Sequence, residues 1–206
     1  MSTPLLFPED GLREIKLPGA RLEYAEDFDL GVSPDALFRD LLADTPWRQE
    51  SVTVWGKRHL QPRLVCWYGD PGKSYTYSGI RLEPLPWTTA LNAIRRHVES
   101  AAETQFNSVL LNLYRDENDS MGFHSDDEAE LGLDPIIASV SLGSTRSLVF
   151  KSKHDKTLRP RRIPLAHGSL LLMSGKTQEN WNHGIPRESG RLGPRVNLTF
   201  RRIVDR

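Results

Sequence analysis

The chain has 206 residues, 38% of them hydrophobic, and its 27 basic and 27 acidic residues give a formal net charge of +0 at pH 7. That length suits one domain with a sizeable core, and the even balance argues against bulk electrostatic binding of nucleic acid, so any such contact has to come from local patches. The single cysteine, Cys66, excludes an internal disulfide framework and any Cys-based zinc site. The opening stretch, Met1 to Pro8, has no charged lead and no long apolar run, so a reducing, cytosol-like compartment is expected rather than secretion or membrane insertion.

In chain order, residues up to about Asp29 carry Pro, Gly and mixed charge and read mostly as irregular structure, with a short strand near Leu22 to Tyr24. Ser33-Pro34-Asp35 then opens a helix, with Ser33 as N-cap, Pro34 at the first helical position, and Leu37, Phe38, Leu41 and Leu42 as its apolar stripe. Val52 to Arg58 reads as a hairpin with Trp55 near its tip beside Lys57 and Arg58. That ring suits either packing under a loop or a wedge inserted into a base stack. The stretches Gln61–Asp70 and Ser74–Ser78 hold four aromatic rings, Trp67, Tyr68, Tyr75 and Tyr77, within eleven residues. They fit the core of a β-ribbon or a base-stacking platform, where each stacked base contributes roughly 1–3 kcal/mol. A second helix is expected over Thr89 to Glu103, burying Leu91, Ile94, Val98 and Ala102 and exposing Arg95, Arg96 and Glu99. From Ser108 onward short strands broken by turns suit a two-sheet jelly roll, and no internal repeat interrupts a one-domain organisation.

The chemistry concentrates in the second half. Residues i and i+2 of an extended strand point the same way, so His124 and Asp126 can address one ion. A third ligand must come from another strand, and His183 follows a buried-strand pattern, Gly168 to Met173, and a polar turn, Ser174-Gly175-Lys176-Thr177. Two imidazoles and a carboxylate are what a facial triad needs to hold Fe(II). Alone, an H-x-D pair with a distant His is a weak signal. Arg195-Val196-Asn197-Leu198-Thr199-Phe200-Arg201 alternates as a half-buried strand, so Arg195, Asn197, Thr199 and Arg201 share a face that is either solvated or turned inward. Turned inward, its two guanidinium groups would be very costly to bury without an anion, and a dicarboxylate would satisfy them through paired charge-assisted hydrogen bonds. Ser108 to Tyr114 is another strand, with Asn112 and Tyr114 on one face as further donors. Lys151, Lys153, His154, Lys156, Arg159, Arg161 and Arg162 form a basic run between two expected strands, which suits a solvated hairpin or a phosphate clamp.

Taken in order from about Val52 to Ile203, these motifs resemble the AlkB-type Fe(II)- and 2-oxoglutarate-dependent nucleic-acid dealkylases, and look most similar to the branch with the two human nucleic-acid repair members. The motifs that carry the resemblance are Asn112-Leu113-Tyr114, His124 to Glu128, Ile137 to Gly143, His167-Gly168-Ser169-Leu170, His183 and Arg195 to Arg201. The resemblance implies a mainly β fold with flanking helices (α+β), a double-stranded β-helix core and an N-terminal nucleotide-recognition lid. It divides the chain into an extension and first helix over 1–50, part of the same domain, lid hairpins over 51–86, and a helix plus jelly-roll dioxygenase core over 87–206. It implies iron on His124, Asp126 and His183, the far carboxylate of 2-oxoglutarate on Arg195, and a cosubstrate pocket completed by Asn112, Tyr114, Asn197 and Arg201. A flipped base would stack between Tyr77 and His124, with Tyr75, Glu128, Trp55, Tyr68, Arg63 and Arg162 as further substrate contacts.

The implied reaction consumes 2-oxoglutarate and O2, releases succinate and carbon dioxide, and removes the methyl group of 1-methyladenine or 3-methylcytosine as formaldehyde. The implied partner is alkylated DNA or RNA, met by a monomer with no membrane contact. An iron oxygenase of a protein or small molecule would need neither the aromatic lid nor the basic run. A non-enzymatic jelly-roll binding module would treat the three ligand residues as structural.

Overall fold

The structure, a computed structural model, describes residues 11–54, 57–73, 75–77, 80–82 and 84–204. Its strands and helices follow in the order β1 (Arg13–Ile15), β2 (Arg21–Ala25), α1 (Pro34–Asp44), β3 (Ser51–Val54), β4 (Lys57–Leu60), β5 (Leu64–Gly69), β6 (Tyr75–Tyr77), β7 (Ile80–Leu82) and α2 (Thr89–Ala102). The second half adds β8 (Ser108–Tyr114), β9 (Met121–His124), β10 (Ile137–Gly143), β11 (Arg146–Ser152), β12 (Arg161–Leu165), β13 (Ser169–Ser174), α3 (Thr177–Asn180), β14 (Trp181–Ile185) and β15 (Arg195–Arg201).

Two antiparallel sheets make the jelly roll: a seven-stranded one in the order β1-β2-β13-β10-β15-β8-β5 and a four-stranded one in the order β12-β11-β14-β9. Strand register divides the large sheet into two faces. Val196, Leu198 and Phe200 of β15 lie level with Leu142, Val140 and Ala138 of β10 and with Leu113, Leu111 and Val109 of β8. This face packs on the helices. The N-cap of α1 is Ser33, whose side chain accepts from the Ala36 N–H, with Pro34 in the first turn. Thr88 caps α2, its Oγ1 accepting from the Leu91 N–H at 3.1 Å. Leu91, Ile94, Val98 and Ala102 are buried along one side of α2, as the 3.6-residue period requires. Each large side chain of that stripe is worth about 1.5–3 kcal/mol when withdrawn from water.

The opposite face of the large sheet looks into the barrel and carries the polar members of the same strands, Arg195, Asn197, Thr199 and Arg201 among them, all buried. The inward arrangement of β15 is therefore the real one, and its alternation separates core from site rather than core from solvent. Glycine is required at two close approaches. A Cβ at Gly143, whose φ is +90°, would collide with the Pro194 carbonyl and the Phe38 ring, where β10 meets the start of β15. A Cβ at Gly184 would come within 2.9 Å of the Met121 carbonyl, so only glycine lets β14 draw up to β9 there.

The strand expected near Leu22 to Tyr24 is β2; β1 is an addition that pairs with it, and the two form one end of the large sheet, while the rest of the described segment before Asp29 is irregular. The stretch 51–86 is not all lid: β3 and β4 form one separate two-stranded hairpin and β6 and β7 another, but β5 between them pairs with β8 along its whole length. The aromatics of β5 accordingly take the core alternative, Tyr68 on the helix side and Trp67 on the barrel side, both buried. Trp55 lies outside the described residues.

Candidate active site

β9 and β14 are neighbours in the small sheet, and their register sets His124 directly opposite His183. The imidazole centroids lie 4.5 Å apart. Asp126 follows two residues after the end of β9, with Oδ1 3.9 Å from His124 Nε2 and Oδ2 3.8 Å from His183 Nε2. One ligand atom from each of the three lies within 4.8 Å of the others.

The surroundings dispose these atoms toward a cation. His124 Nδ1 is 3.0 Å from the Gly122 carbonyl, which needs a proton on Nδ1 and so leaves the Nε2 lone pair free. His183 is buried, and burial, aided by His124, brings its pKa down to about 3, which keeps the ring neutral as a ligand must be. Burial pushes the Asp126 carboxyl up, but the Arg201 guanidinium and both imidazoles outweigh it, and the acid is held below the usual carboxylate range. Arg201 Nη2 donates to Asp126 Oδ1 at 2.7 Å, whereas the buried Oδ2 has no hydrogen-bond partner among the described residues. An unsatisfied buried carboxylate oxygen flanked by two imidazoles fits a divalent ion.

The three side chains edge a narrow cleft lined by Arg195, Asn197, Thr199 and Arg201 from β15 and by Leu148, Leu165, Met173 and Ile185. Arg195 is 1% exposed; its Nη2 donates to Ser141 Oγ at 2.8 Å, while Nε and Nη1 find no acceptor among the described residues. Burial lowers its pKa to about 10, opposed by the adjacent Tyr114, so it remains a cation at neutral pH. The Tyr114 ring is 5.2 Å from the Arg195 guanidinium carbon and 5.6 Å from that of Arg146. A buried cation with two donors unfilled fits an oxyanion.

The expected site residues fall into groups. His124, Asp126, His183, Arg195, Asn197 and Arg201 meet in the cleft, and Asn112 lies level with Asn197 in the sheet. Tyr68 faces α2 from the far side of the large sheet and is corrected to a core residue, with burial raising its hydroxyl to about 12. Arg63, expected against the substrate, is 4% exposed and donates from Nε to Asn112 Oδ1 at 2.8 Å, so it is a buried brace on the β8 side chain. Arg162 is exposed on β12. Glu128 is half-buried, with Oε2 buried and without a partner among the described residues. Asp127 is the exposed neighbour, taken by Lys153 Nζ and by Ser125 Oγ at 2.8 Å each. Tyr75 and Tyr77 occupy β6 of the second hairpin, but their side chains fall outside the described residues.

Residues not anticipated are Ser141, Arg146 and Gln178. Arg146 is buried and donates to the carbonyls of Asp116, Asp119 and Pro186, tying the β8–β9 and β14–β15 loops to β11. These three acceptors are backbone oxygens brought up by the fold, a signal absent from any local pattern, and the Glu188 carboxylate lies 3.8 Å from Nε.

Fold and site together define a jelly-roll protein arranged to hold one divalent ion beside a buried oxyanion. The chain belongs to the 2OG-Fe(II) oxygenase superfamily, whose model matches residues 33–201, and within it to the AlkB-type proteins. It is 44% identical over 177 residues to the alpha-ketoglutarate-dependent dioxygenase alkB homolog 3 of Bos taurus, covering 82% of this chain and 61% of that protein. To the DNA oxidative demethylase ALKBH2 of Homo sapiens it is 41% identical over 201 residues, covering 93% of this chain and 77% of that one. The chain thus spans 61% of the length of both the cow and the human alkB homolog 3. The solved structure of OsALKBH1 matches with a TM-score of 0.60 at 16% identity, covering 93% of this chain and 99% of that chain, a likeness of fold alone. No helix among the described residues is long and apolar enough to cross a membrane.

Proposed function

We propose that this chain oxidatively demethylates 1-methyladenine and 3-methylcytosine in DNA or RNA, with Fe(II), 2-oxoglutarate and O2. One observation carries the reading: His124, Asp126 and His183 edge the same cleft that holds Arg195 with two donors unfilled. The bound ion and cosubstrate supply the oxidising equivalent that converts an N-methyl group into one lost as formaldehyde. In this reading the chain's own residues bind and orient. His124 presents Nε2 because Gly122 holds the proton on Nδ1, and Asp126 presents Oδ2 because Arg201 occupies Oδ1. Arg195 pairs the distal carboxylate of 2-oxoglutarate, with Asn112, Tyr114, Asn197 and Arg201 completing its pocket, and the wall of Leu148, Leu165, Met173 and Ile185 keeps water from the reacting end.

Substrate recognition belongs to the same proposal. Tyr75 and Tyr77 stack the flipped base, Trp55 wedges the stack, and the carboxylate of Glu128 faces the fixed positive charge of the methylated base. The exposed Arg162, with its neighbours on the hairpin between β11 and β12, holds phosphate. The names of the two kinds of relative, a DNA oxidative demethylase and an alpha-ketoglutarate-dependent dioxygenase, support the substrate class. The protein works as a monomer in a cytosol-like compartment, and light scattering in solution tests the first point.

The deciding experiment is mass spectrometry of an oligonucleotide bearing one 3-methylcytosine, incubated with protein, Fe(II), ascorbate and 2-oxoglutarate. Loss of the methyl group is expected in the complete reaction and in neither a mixture without 2-oxoglutarate nor one with His124→Ala. Iron-dependent consumption of 2-oxoglutarate with the mark intact would move the substrate to a protein or small molecule. No consumption at all would leave a binding module.

A further inference from the structure

We infer that Gln178 is a positioning residue that holds the metal-facing carboxylate of Asp126 by its backbone. The inference rests on His124, Asp126 and His183 being a divalent-metal site. The sheet ladder ends at the His124–His183 pair, so Asp126, two residues on, has no strand to bond its buried N–H. That N–H donates instead to Gln178 Oε1 at 3.0 Å. Gln178 is 2% exposed, and among the described residues the other end of its amide meets only the thioether of Met173, with Nε2 3.8 Å from Sδ. Exchanging the two ends would set an NH2 group against an N–H, donor facing donor, so the amide orientation follows from the contact itself. A buried primary amide whose one strong bond goes to the Asp126 backbone is costly to keep for packing alone.

Gln178 is itself fixed. The α3 turn that carries it is tied down by the preceding residue, Thr177, whose Oγ1 donates to the Ser174 carbonyl and accepts from the Arg21 N–H. The Gln178 carbonyl accepts from Lys153 Nζ at 2.8 Å. Five residues further on the same segment delivers His183, so one short stretch both supplies the second imidazole and restrains the carboxylate. With Gln178 on the backbone and Arg201 on Oδ1, Asp126 has one free oxygen and one orientation in which to offer it. Hydrogen bonds that orient a metal-binding side chain typically govern about 10–100-fold of metal affinity.

The test is calorimetric titration of Mn(II) into the metal-free protein, comparing wild type with Gln178→Met, which keeps the length and volume but replaces the oxygen acceptor by a thioether that accepts only weakly, and with His124→Ala. Mn(II) affinity is expected to fall about 10–100-fold in Gln178→Met. Affinity within twofold of wild type, whatever the change in melting temperature, would overturn the inference, since a purely structural glutamine alters stability and not the ion. Amide hydrogen exchange on the metal-free wild type decides the matter even if the variant does not fold. The Asp126 amide is expected to be protected, and exchange at the rate of an open loop would overturn the bond. Failure of the wild type to bind Mn(II), or undiminished binding by His124→Ala, would bring down the metal site and this inference with it.

Discussion

Arg195 is a cation surrounded by protein, its Nη2 donating to Ser141 Oγ while Nε and Nη1 find no acceptor among the described residues. If its remaining donors take the distal carboxylate of 2-oxoglutarate, Arg195→Lys removes the paired geometry although it keeps the charge. The expected result is an apparent KM for 2-oxoglutarate raised about 10–100-fold, the equivalent of about 1.5–3 kcal/mol of charge-assisted hydrogen bonding, as followed by succinate release. A change below twofold would remove Arg195 from the cosubstrate pocket. A second residue-scale prediction concerns stability. Burial pushes the Asp119 carboxyl up, but Arg115, which donates to both its oxygens at 2.8 Å, and Arg146 bring it below the ordinary value. Its stabilising contribution is therefore complete above the unfolded-state pKa near 4 and is lost as pH falls through the lower folded value. Arg115 is half exposed, so the pair is worth only about 1–2 kcal/mol. Denaturant melts should show Asp119→Asn less stable than wild type at pH 7, with the gap narrowing below pH 4; a gap constant with pH would reject the linkage. At this scale the sequence was readable wherever neighbours in space are neighbours in pattern. His124 and Asp126 are two apart, and the polar members of β15 alternate. Gln178, Arg63 and Ser141 were not readable, because each meets its partner across 49 to 54 positions of chain.

Elements with a period announced themselves, and elements defined by their neighbours did not. The buried stripe of α2 coincides with the one its spacing demands, and so does the start of α1 at Ser33 and Pro34. For β5, the run Leu64 to Tyr68 fits a lid ribbon or a core strand equally, and pairing with β8 decides it. The same element defines where the second hairpin leaves the core. Asp70, just past β5, accepts from Trp87 Nε1 at 2.8 Å and from Arg95 Nη1 at 3.2 Å, and Arg95 lies 4.8 Å from the Trp87 ring centre. The chain between Asp70 and Trp87 carries β6 and β7, so this neck closes the base of the hairpin that includes Tyr75 and Tyr77. In Asp70→Ala the KM for a methylated oligonucleotide is expected to rise about fivefold, which is what about 1 kcal/mol of lost positioning amounts to, with the KM for 2-oxoglutarate unchanged. Equal effects on both constants would mean that the neck serves the whole fold and not the lid.

For the molecule as a whole, zero net charge leaves local patches to do any electrostatic work. The basic hairpin is less free than its composition implies, because Lys153 is bound to Asp127 and the Lys151 ammonium lies 3.8 Å from the Phe123 ring centre. Arg159, Arg161 and Arg162 remain exposed. Changing all three to alanine should flatten the dependence of log K on log salt for a single-stranded oligonucleotide by about 2, at roughly 0.7 per phosphate contact. An unchanged slope in fluorescence anisotropy would send the phosphates elsewhere.

The place of β15 in the large sheet also bears on how the protein is made. It is the last strand in the sequence and lies in the sheet's interior, with β10 on one side and β8 on the other. Until it arrives, the sheet is two unconnected ribbons, β5 with β8 and β10 with its neighbours, and their unpaired edges are open to mispairing. A growing chain therefore emerges from the ribosome with His124, Asp126 and His183 already present but without Arg195 or Arg201. A chain stalled before Arg195 should be cut readily by protease within β8 and β10, and one stalled with β15 clear of the tunnel should resist. Resistance at the earlier stage would mean that the two ribbons close without it; otherwise the Arg201 guanidinium reaches the Asp126 carboxylate only once this strand has closed the sheet.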